Sequence, residues 1–269
     1  MLSARTCISV FLSAVIPLSS FTQQLTSTSA LSPQRDLQAL SILNQSLNVA
    51  GGAQVLGAIQ DFTGSGNVAY FWAGDQVQGS ISVKGRGTTD FRVDADLPTG
   101  TRSWTVSSGK GTLRDLDGGL VLIPFQSVVN LGAQTLPQLR IAEALSNSSL
   151  SVQYSGLSDL GGRQVYVIHV QQGPYSPSDP ATLFNHLSAM DFFIDATTYQ
   201  VVLTRDTAHP SDSQSVDFPH EIQYSDYRLT NGCLVPYSAT ERINGQTTWV
   251  IQLSALTFNV GLTDADFQL

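Results

Sequence analysis

Positive charge is scarce in this sequence, and that scarcity limits the partners the protein can bind. Its 269 residues include 13 Lys and Arg against 21 Asp and Glu, for a net charge of −8, and its lysines are Lys84 and Lys110 alone. Nucleic acids and anionic membranes attract proteins through clustered Lys and Arg side chains. We therefore expect neither a nucleic-acid partner nor electrostatic attachment to a lipid surface.

Cysteine is almost absent as well. The sequence contains Cys7 and Cys233. Cys7 falls in an N-terminal leader, so removal of the leader leaves Cys233 without a disulfide partner. Cys233 begins an apolar run and has no histidine near it in sequence. We predict a buried, unreactive thiol and a protein that is stabilised by its core.

No apolar run is long enough to cross a membrane. The run Ile8–Leu18 has eleven residues and follows Arg5, whereas a membrane-spanning helix needs about 20. A short apolar run after a positive charge is typical of a secretory signal. We predict a removable signal peptide over residues 1–30, one domain over residues 31–269 and no transmembrane anchor. The mature protein is expected to be a periplasmic or secreted monomer.

One helix near the N-terminus is strongly marked. Leucines recur there at steps of three and four residues, the period at which helical side chains share one face. These leucines are Leu37, Leu40, Leu43 and Leu47. Ser32 is the predicted N-cap, and the glycine pair after residue 50 is the predicted stop. Further short helices are predicted over residues 53–59, 134–146 and 179–187.

From Phe62 onward the sequence changes to the two-residue period of β-strands. Between Phe91 and Leu97 every odd position is apolar and every even position is charged, so one face of that strand is expected to contact water. Asn231-Gly232 and Asn244-Gly245 separate two further pairs of β runs, and Asn-Gly pairs in such positions are strong signals of tight hairpins. We predict an antiparallel meander whose concave face packs on the leucine stripe.

No catalytic or cofactor-binding motif accompanies these strands. Gly64-Ser-Gly66 is too short for the nucleophile elbow of a hydrolase, and Gly85-x-Gly87 lacks the third glycine of a dinucleotide site. Asp90, Asp94 and Asp96 share the water-facing side of one strand, without the loop that wraps calcium. We predict a protein that is not an enzyme and that needs no cofactor.

The four histidines do not have the spacing of metal ligands. They are His169, His186, His209 and His220, and none lies in an H-E-x-x-H or H-x-H pattern. His169 alternates with valines and is expected at the edge of the core. His209 and His220 bracket a polar loop that is expected to be solvated. The sequence therefore predicts no metal site.

Three C-terminal segments carry a recognisable pattern. Phe193–Val201 contains a strand that ends with Asp and turns back, Tyr227–Tyr237 is a hairpin of the form Tyr-Arg, turn, Gly, spacer, Pro-Tyr, and Leu256–Phe267 closes on Asn-Val, an acidic residue and Phe. Together they resemble the outer-membrane lipoprotein carrier superfamily and its lipoprotein-sorting relatives, over the C-terminal third of the chain. The matching residues form turns and strand edges, so no ligand-gating residue is transferred.

The resemblance implies a fold that is mainly β, with a few helices. It implies a strongly curved, half-open antiparallel β-sheet, an incomplete barrel, wrapped around one or two helices. It also implies an apolar hollow between helix and sheet, where the better-known relatives hold lipid or acyl chains. On this basis residues 31–269 are expected to form a single lipoprotein-carrier-like β domain.

Two functional hypotheses follow from this resemblance. The first is an exported carrier that holds a lipid or acyl chain in the hollow. The second is a non-catalytic envelope module for protein interaction or sensing, with the same fold. A hollow that is open and lipid-sized favours the carrier, whereas a filled one leaves only the outer surface to act. The candidate pocket residues are Leu40, Leu43, Leu47, Tyr70, Trp72, Trp104, Phe193 and Trp249.

Overall fold

The computed structural model describes residues 33–269, apart from residues 73, 132, 133, 135 and 174–180. The predicted signal peptide and Ser32 lie outside the described residues, as does the start of the helix predicted at 179–187. No described helix is long and apolar enough to span a membrane.

Most of the described chain is β-strand. The strands are β1 (Asp61–Trp72), β2 (Asp75–Arg86), β3 (Asp90–Leu97), β4 (Gly100–Ser107), β5 (Lys110–Arg114), β6 (Leu120–Ile123), β7 (Leu150–Leu160), β8 (Arg163–Gln172), β9 (Met190–Asp195), β10 (Val201–Ala208), β11 (Phe218–Thr230), β12 (Cys233–Ile243) and β13 (Gln246–Phe258). The helices are α1 (Leu37–Val49), α2 (Gly52–Gly57), α3 (Phe125–Val128), α4 (Pro137–Ser146) and α5 (Ala181–Ser188), and a 3-10 helix spans Asp264–Phe267. Each of the short helices predicted from the sequence is present, with ends shifted by a few residues.

Within the described residues the thirteen strands form a single sheet, in the order β6-β5-β4-β3-β2-β1-β13-β12-β11-β10-β9-β8-β7. The chain runs as a meander from β1 to the edge strand β6, crosses through α3 and α4 to the opposite edge strand β7, and returns by a second meander to β13. There β13 pairs antiparallel with β1, which joins the two meanders at the centre of the sheet. The predicted fold class is confirmed, because the sheet is antiparallel and does not close into a barrel.

Two Asn-Gly turns set the register of the C-terminal hairpins. Asn231 and Gly232 have φ values of 48° and 83°, and Asn244 and Gly245 have 51° and 77°. Positive φ at both central residues is the geometry of the tight turn that suits twisted strands, so both predicted hairpins are confirmed. Cys233 follows the first turn and is buried, and its burial raises the pKa of the thiol to about 11. The prediction of a buried cysteine is confirmed.

Helix α1 begins at Leu37, which is later than the predicted N-cap at Ser32 implied. Its N-cap is Asp36, whose carboxylate accepts hydrogen bonds from the backbone N–H groups of Gln38 at 2.7 Å and Ala39 at 3.1 Å. The prediction of Ser32 as N-cap is therefore wrong. Residues 34–36 run along the edge strand β7 instead, where the Val152 N–H donates to the Gln34 carbonyl at 2.7 Å and the Asp36 N–H donates to the Val152 carbonyl at 2.9 Å.

The buried face of α1 differs from the predicted stripe by one leucine. Leu43 is 0% exposed, Leu47 is buried and Leu40 is half-buried against the core, but Leu37 is 83% exposed. Leu37 is the first helical residue and precedes the turns that pack on the sheet. Ile42, which the leucine pattern did not include, is buried on α1.

Arg35 fastens the chain before α1 to the end of α4. Its guanidinium donates to the carbonyls of Ala144, Leu145 and Asn147, each at 2.9 Å, and of Leu150 at 3.1 Å. The last carbonyls of a helix have no partner within the helix, and a cation there also matches the helix dipole. One side chain therefore holds α4 beside α1.

Helices α1, α2 and α4 cover one face of the sheet, which we call the inner face. Leu43, Ile141 and Phe62 belong to a continuous core that joins these helices to inward side chains of the strands. Phe62 lies against Gly85, where a Cβ atom would be 2.3 Å from the ring, so the packing requires glycine there. The part of the hollow beneath α1 is thus filled by side chains.

The C-terminal segment covers part of the outer face. Phe267 is buried there, with the guanidinium of Arg86 5.2 Å from its ring centre. Arg92 of β3 donates to the Gln268 carbonyl at 2.5 Å. The charged side of β3 points away from the core as predicted, but this segment shields it partly from water.

Two leucines of α1 provide a matched test of the packing. We expect Leu43→Ala to lower the free energy of unfolding by about 2–5 kcal/mol, because it empties a fully buried site. Leu37→Ala, in the same helix, should change it by less than about 0.5 kcal/mol, because that side chain is in water. Denaturant titration measures both values. Equal losses in the two variants would contradict the packing of α1.

Candidate functional site

Five of the predicted pocket residues are packed into the core. Leu43 and Leu47 are buried beneath α1, and Leu40 packs against the same cluster. Tyr70 and Trp249 are cross-strand partners on β1 and β13, and both are buried. The leucines pack beneath α1, and Tyr70 and Trp249 belong to the same continuous core, so these side chains fill space rather than line an open one.

Trp72 and Trp104 extend this group towards one side of the sheet. Trp72 stacks on Tyr70 with ring centres 5.3 Å apart, and the Arg102 guanidinium lies 5.5 Å and 5.7 Å from the centres of these two rings. Trp104 packs on Phe91 at 5.1 Å. Trp72 is 39% exposed, so the aromatic group meets solvent at that residue.

Phe193 lies apart from the other candidates. Successive residues of a strand point to opposite faces, and Phe192 is the one that joins the main core on the inner face. Phe193 packs in a separate cluster with Val165, Val202 and Leu203. Phe193 was predicted to line the pocket because Phe192 and Phe193 are equally apolar in the sequence. Only the register of β9 shows which of the two points to the inner face.

Open space on the inner side lies beneath a set of short elements that we call the cap. The cap consists of α3, residues 129–131, α5 and residues 209–217. Phe125 of α3 stacks on Phe184 of α5, with ring centres 6.0 Å apart. Helix α3 has four residues and no side-chain cap, and a helix this short depends on its packing rather than on its own hydrogen bonds.

Two side-chain amides link α3 and the residues after it to the rest of the cap. Gln126 donates through Nε2 to the carbonyls of Pro210 and Ser211, each at 3.1 Å. Asn130 donates through Nδ2 to the carbonyl of Leu187 at 3.0 Å. The cap is therefore held together by a few polar bonds and one aromatic stack.

Two cavities lie between the cap and the inner face. The first has a volume of about 240 Å³ and is lined by Gln126, Ser127, Asn130, Leu131, Gln134, Asp206, Thr207, Ala208, His209, His220, Glu241 and Ile243. The second has a volume of about 200 Å³ and is lined by Thr89, Val129, Asn130, Arg140, Glu143, Leu150, Val170, Gln172, Phe184, Ser188, Met190 and Phe192. A void of about 10 Å³ is also lined by Asn130. The three spaces therefore meet at the Asn130 side chain.

Charged side chains from three neighbouring strands line the first cavity. His220 bonds through Nδ1 to Asp206 and through Nε2 to Glu241, the latter at 3.0 Å. Burial alone lowers the pKa of His220, but the two carboxylates raise it to about 10. The imidazole is therefore charged at neutral pH, with both ring N–H groups donating.

Tyr224 forms part of the floor of the void between the cavities. Its hydroxyl donates to the carbonyl of Gln134 at 2.7 Å, and burial raises the pKa of the phenol. The phenol stays neutral and acts as a donor, so it holds the segment between α3 and α4 on the sheet.

Sequence reasoning missed these inward polar residues. The histidines expected beside a solvated loop, His209 and His220, are both buried, although most residues of the loop between them are exposed. Asp206 and Glu241 point to the inner face of the sheet, where Glu241 is the cross-strand partner of the apolar Ile222 on β11. A charged residue that falls among the inward, apolar positions of a strand is the feature of the sequence from which this site could have been predicted.

No protein-family model matches the chain, and no curated protein matches it by sequence. Solved structures match it by fold. A domain from Vibrio parahaemolyticus assigned to outer membrane lipoprotein sorting is 10% identical and aligns over 86% of this chain and 96% of its own, with a TM-score of 0.55. A LolA superfamily protein from Nitrosomonas europaea is 12% identical over 89% of this chain and 99% of its own, with a TM-score of 0.53. A DUF1329 family protein from Desulfovibrio piger is 12% identical over 85% and 96%, with a TM-score of 0.51.

This structural likeness covers most of the chain, whereas the sequence resemblance covered its C-terminal third. At identities of 10% and 12% the likeness concerns the fold. The chain therefore shares the open antiparallel fold of lipoprotein-sorting and LolA superfamily structures.

Proposed function

We propose that this protein is an exported, non-catalytic carrier that holds the apolar chain of a lipid between the cap and the inner face of the sheet. The observation that carries the proposal is the pair of cavities that meet at Asn130. The shared fold and the predicted leader support it. With that leader, the carrier works in the periplasm or outside the cell.

The volumes of the cavities fit an occupant that joins them. Each cavity, at about 240 Å³ and 200 Å³, is smaller than the roughly 300–1,000 Å³ of a typical ligand pocket, and the two together fall within that range. Rotation of the Asn130 side chain connects them. Apolar side chains of the second cavity, among them Leu150, Val170 and Phe192, then contact the chain of the ligand.

The cap provides an entrance. Segments with few buried contacts and few hydrogen bonds open locally at a lower free energy than the core. The cap is held by the Phe125–Phe184 stack, by the amides of Gln126 and Asn130 and by the contacts of Asp217 with two histidines, whereas α1 and α4 are part of the continuous core. Both cavities are partly open to solvent, and movement of the cap widens them without unfolding the sheet.

The chemistry of His220 supports a carrier rather than an enzyme. A general base works best with a pKa near the pH at which it acts, and the pKa of His220 is raised to about 10 by its two carboxylates. Both ring nitrogens are already engaged. Among the described contacts, neither Ser127 nor Thr207, whose hydroxyls line the same cavity, bonds to this imidazole.

One observation favours a second candidate function, protein interaction at the sheet edge. The edge strand β6 exposes Leu120, Val121 and Leu122, the last by 77%. An exposed apolar edge strand can pair with an extended segment of another chain. In this alternative the protein is an envelope interaction module with the same fold.

A fluorescent fatty acid tests the carrier proposal. We expect saturable binding to the delipidated mature protein, with a Kd below about 100 μM, or about −5.5 kcal/mol. Val129→Trp, which places a large side chain in the second cavity, should weaken binding at least about tenfold, or about 1.4 kcal/mol. The change in probe emission on titration gives both values.

The same substitution at a surface position is the control for this titration. Val49 is exposed on α1, so Val49→Trp should bind as the wild type does. Circular dichroism checks that both variants are folded. The carrier proposal fails if no saturation occurs up to ~100 μM, or if Val129→Trp and Val49→Trp bind with equal affinity.

Site-specific photo-crosslinking tests the edge-strand alternative. A photoreactive amino acid at Leu122 should give a discrete protein adduct in cells that export the chain, if β6 receives a partner strand. The same amino acid at Val49 should give none. Identical adduct patterns at the two positions would count against an interface at β6.

The buried charges of the first cavity predict a pH-dependent stability. The pKa of His220 is about 10 in the folded protein and about 6.5 in an unfolded chain, so its contribution is complete below about pH 6.5 and is lost as the pH rises towards 10. His220→Gln should cost on the order of 3 kcal/mol at low pH, because two carboxylates lose a buried cation. The difference from wild type should shrink above neutral pH.

Denaturant unfolding of the two proteins across this pH range measures the difference. His169→Gln is a matched control, because His169 bonds to one carboxylate, Asp191, at 2.7 Å and is only half-buried. We expect it to cost less than about 1 kcal/mol. A difference between His220→Gln and wild type that does not vary with pH would show that His220 is not charged in the fold.

A further inference from the structure

Two histidines and one aspartate meet within the cap. His186 lies in the last turn of α5, His209 follows β10, and Asp217 precedes β11. Their nearest nitrogen and oxygen atoms all lie within 4.8 Å of one another. The fold therefore brings together ligand types that are far apart in the sequence.

The distances within this cluster suit a metal ion. His186 Nε2 is 3.0 Å and His209 Nδ1 is 3.3 Å from the same Asp217 oxygen, Oδ1. In a tetrahedral site with bonds of about 2.0–2.1 Å to nitrogen and oxygen, neighbouring ligand atoms lie about 3.3 Å apart. The His186 side chain is 41% exposed, so it can rotate to close the remaining gap to His209.

The buried histidine is oriented by a contact on its other nitrogen. His209 Nε2 lies 3.2 Å from the Thr207 hydroxyl. For Nδ1 to bind a metal ion, Nε2 must carry the proton and donate to this hydroxyl, and such a bond orients a metal-binding histidine. Nδ1 lies 3.1 Å from the Val216 carbonyl and donates to it when protonated, so metal binding at Nδ1 displaces that proton.

We propose that His186, His209 and Asp217 bind a divalent transition-metal ion of the Zn²⁺ class, which fastens α5 to residues 209–217. Two imidazoles and one carboxylate form a donor set that suits Zn²⁺, Cu²⁺ or Ni²⁺, whereas Ca²⁺ and Mg²⁺ take oxygen ligands. A water molecule completes the coordination. Because His209 also lines the first cavity, the ion joins two segments of the cap beside that cavity.

Isothermal titration of the full mature chain with Zn²⁺ alone tests this site. After treatment with a chelator, the wild type should bind one Zn²⁺ with a Kd below about 10 μM, or about −7 kcal/mol. His186→Ala and Asp217→Asn should each weaken binding at least about tenfold. Both side chains are partly exposed, so both variants should fold.

His169→Ala is the matched control for a histidine paired with a carboxylate. His169 bonds to Asp191 at 2.7 Å, with no second histidine in the pair, so the variant should bind Zn²⁺ as the wild type does. Co²⁺ gives a second readout, because four-coordinate Co²⁺ absorbs strongly in the visible range. That absorption should appear with the wild type and with His169→Ala, and should be lost with His186→Ala.

Two outcomes would overturn the site. If the wild type shows no saturable heat up to ~100 μM Zn²⁺, the three residues are a hydrogen-bonded cluster only. If Zn²⁺ binds equally to the wild type, His186→Ala and Asp217→Asn, the ion is held elsewhere. Fatty-acid binding is measured in chelator-treated protein, so failure of the carrier proposal and failure of the metal site are separate results.

Discussion

The apolar inner face of an open sheet must be covered, and most other features of this protein follow from that constraint. A closed barrel hides its interior, but this sheet ends at β6 and β7. Each square ångström of apolar surface left in water costs about 25 cal/mol. The crossover that joins the two edges carries α3 and α4, and the chain before β1 carries α1 and α2. The connections that the topology requires are therefore also the cover.

The helices pack more tightly on one part of the inner face than on the other. The stable part of the fold and the proposed entrance for a ligand are therefore different segments. Beneath α1 and α4 the packing is continuous, with Leu43 and Ile141 fully buried. Beneath α3 and α5 it leaves two cavities, which are partly covered by a cap that a stack of two phenylalanines and a few polar contacts hold together. A carrier needs a part that stays folded and a part that opens, and local opening occurs where buried contacts are fewest. The proposed binding mode places these two tasks in different segments.

A chain with little charge places its cations where backbone or carboxylate groups need a partner. Arg35 takes the free carbonyls at the end of α4. His220 lies between two buried carboxylates, and Arg86 covers the ring of Phe267 in the C-terminal segment. Arg35 thus joins two elements of the cover, His220 joins three neighbouring strands, and Arg86 contacts the C-terminal segment from the sheet, so these charges link structural elements rather than form an extended charged surface.

The sequence alone determined the local features of this protein, because they depend on neighbouring residues. Strand alternation, the Asn-Gly hairpins, the buried faces of Leu43 and Leu47 and the burial of Cys233 were all predictable. The fold class also followed, through a family resemblance carried by turns and strand ends. The period of the apolar residues indicates which side chains share a face of a helix or strand, whatever element that face packs against.

Tertiary structure decided which faces meet. Asp36 became the N-cap of α1 because the preceding residues bond to β7, and Phe193 left the predicted pocket set because the register of β9 turns it to the other face. The first cavity exists only where the segment around α3 packs on strands β10 to β12, and the cluster of His186, His209 and Asp217 exists only where α5 packs beside the loop between β10 and β11. Such contacts depend on the path of the whole chain, and no spacing in the sequence records it.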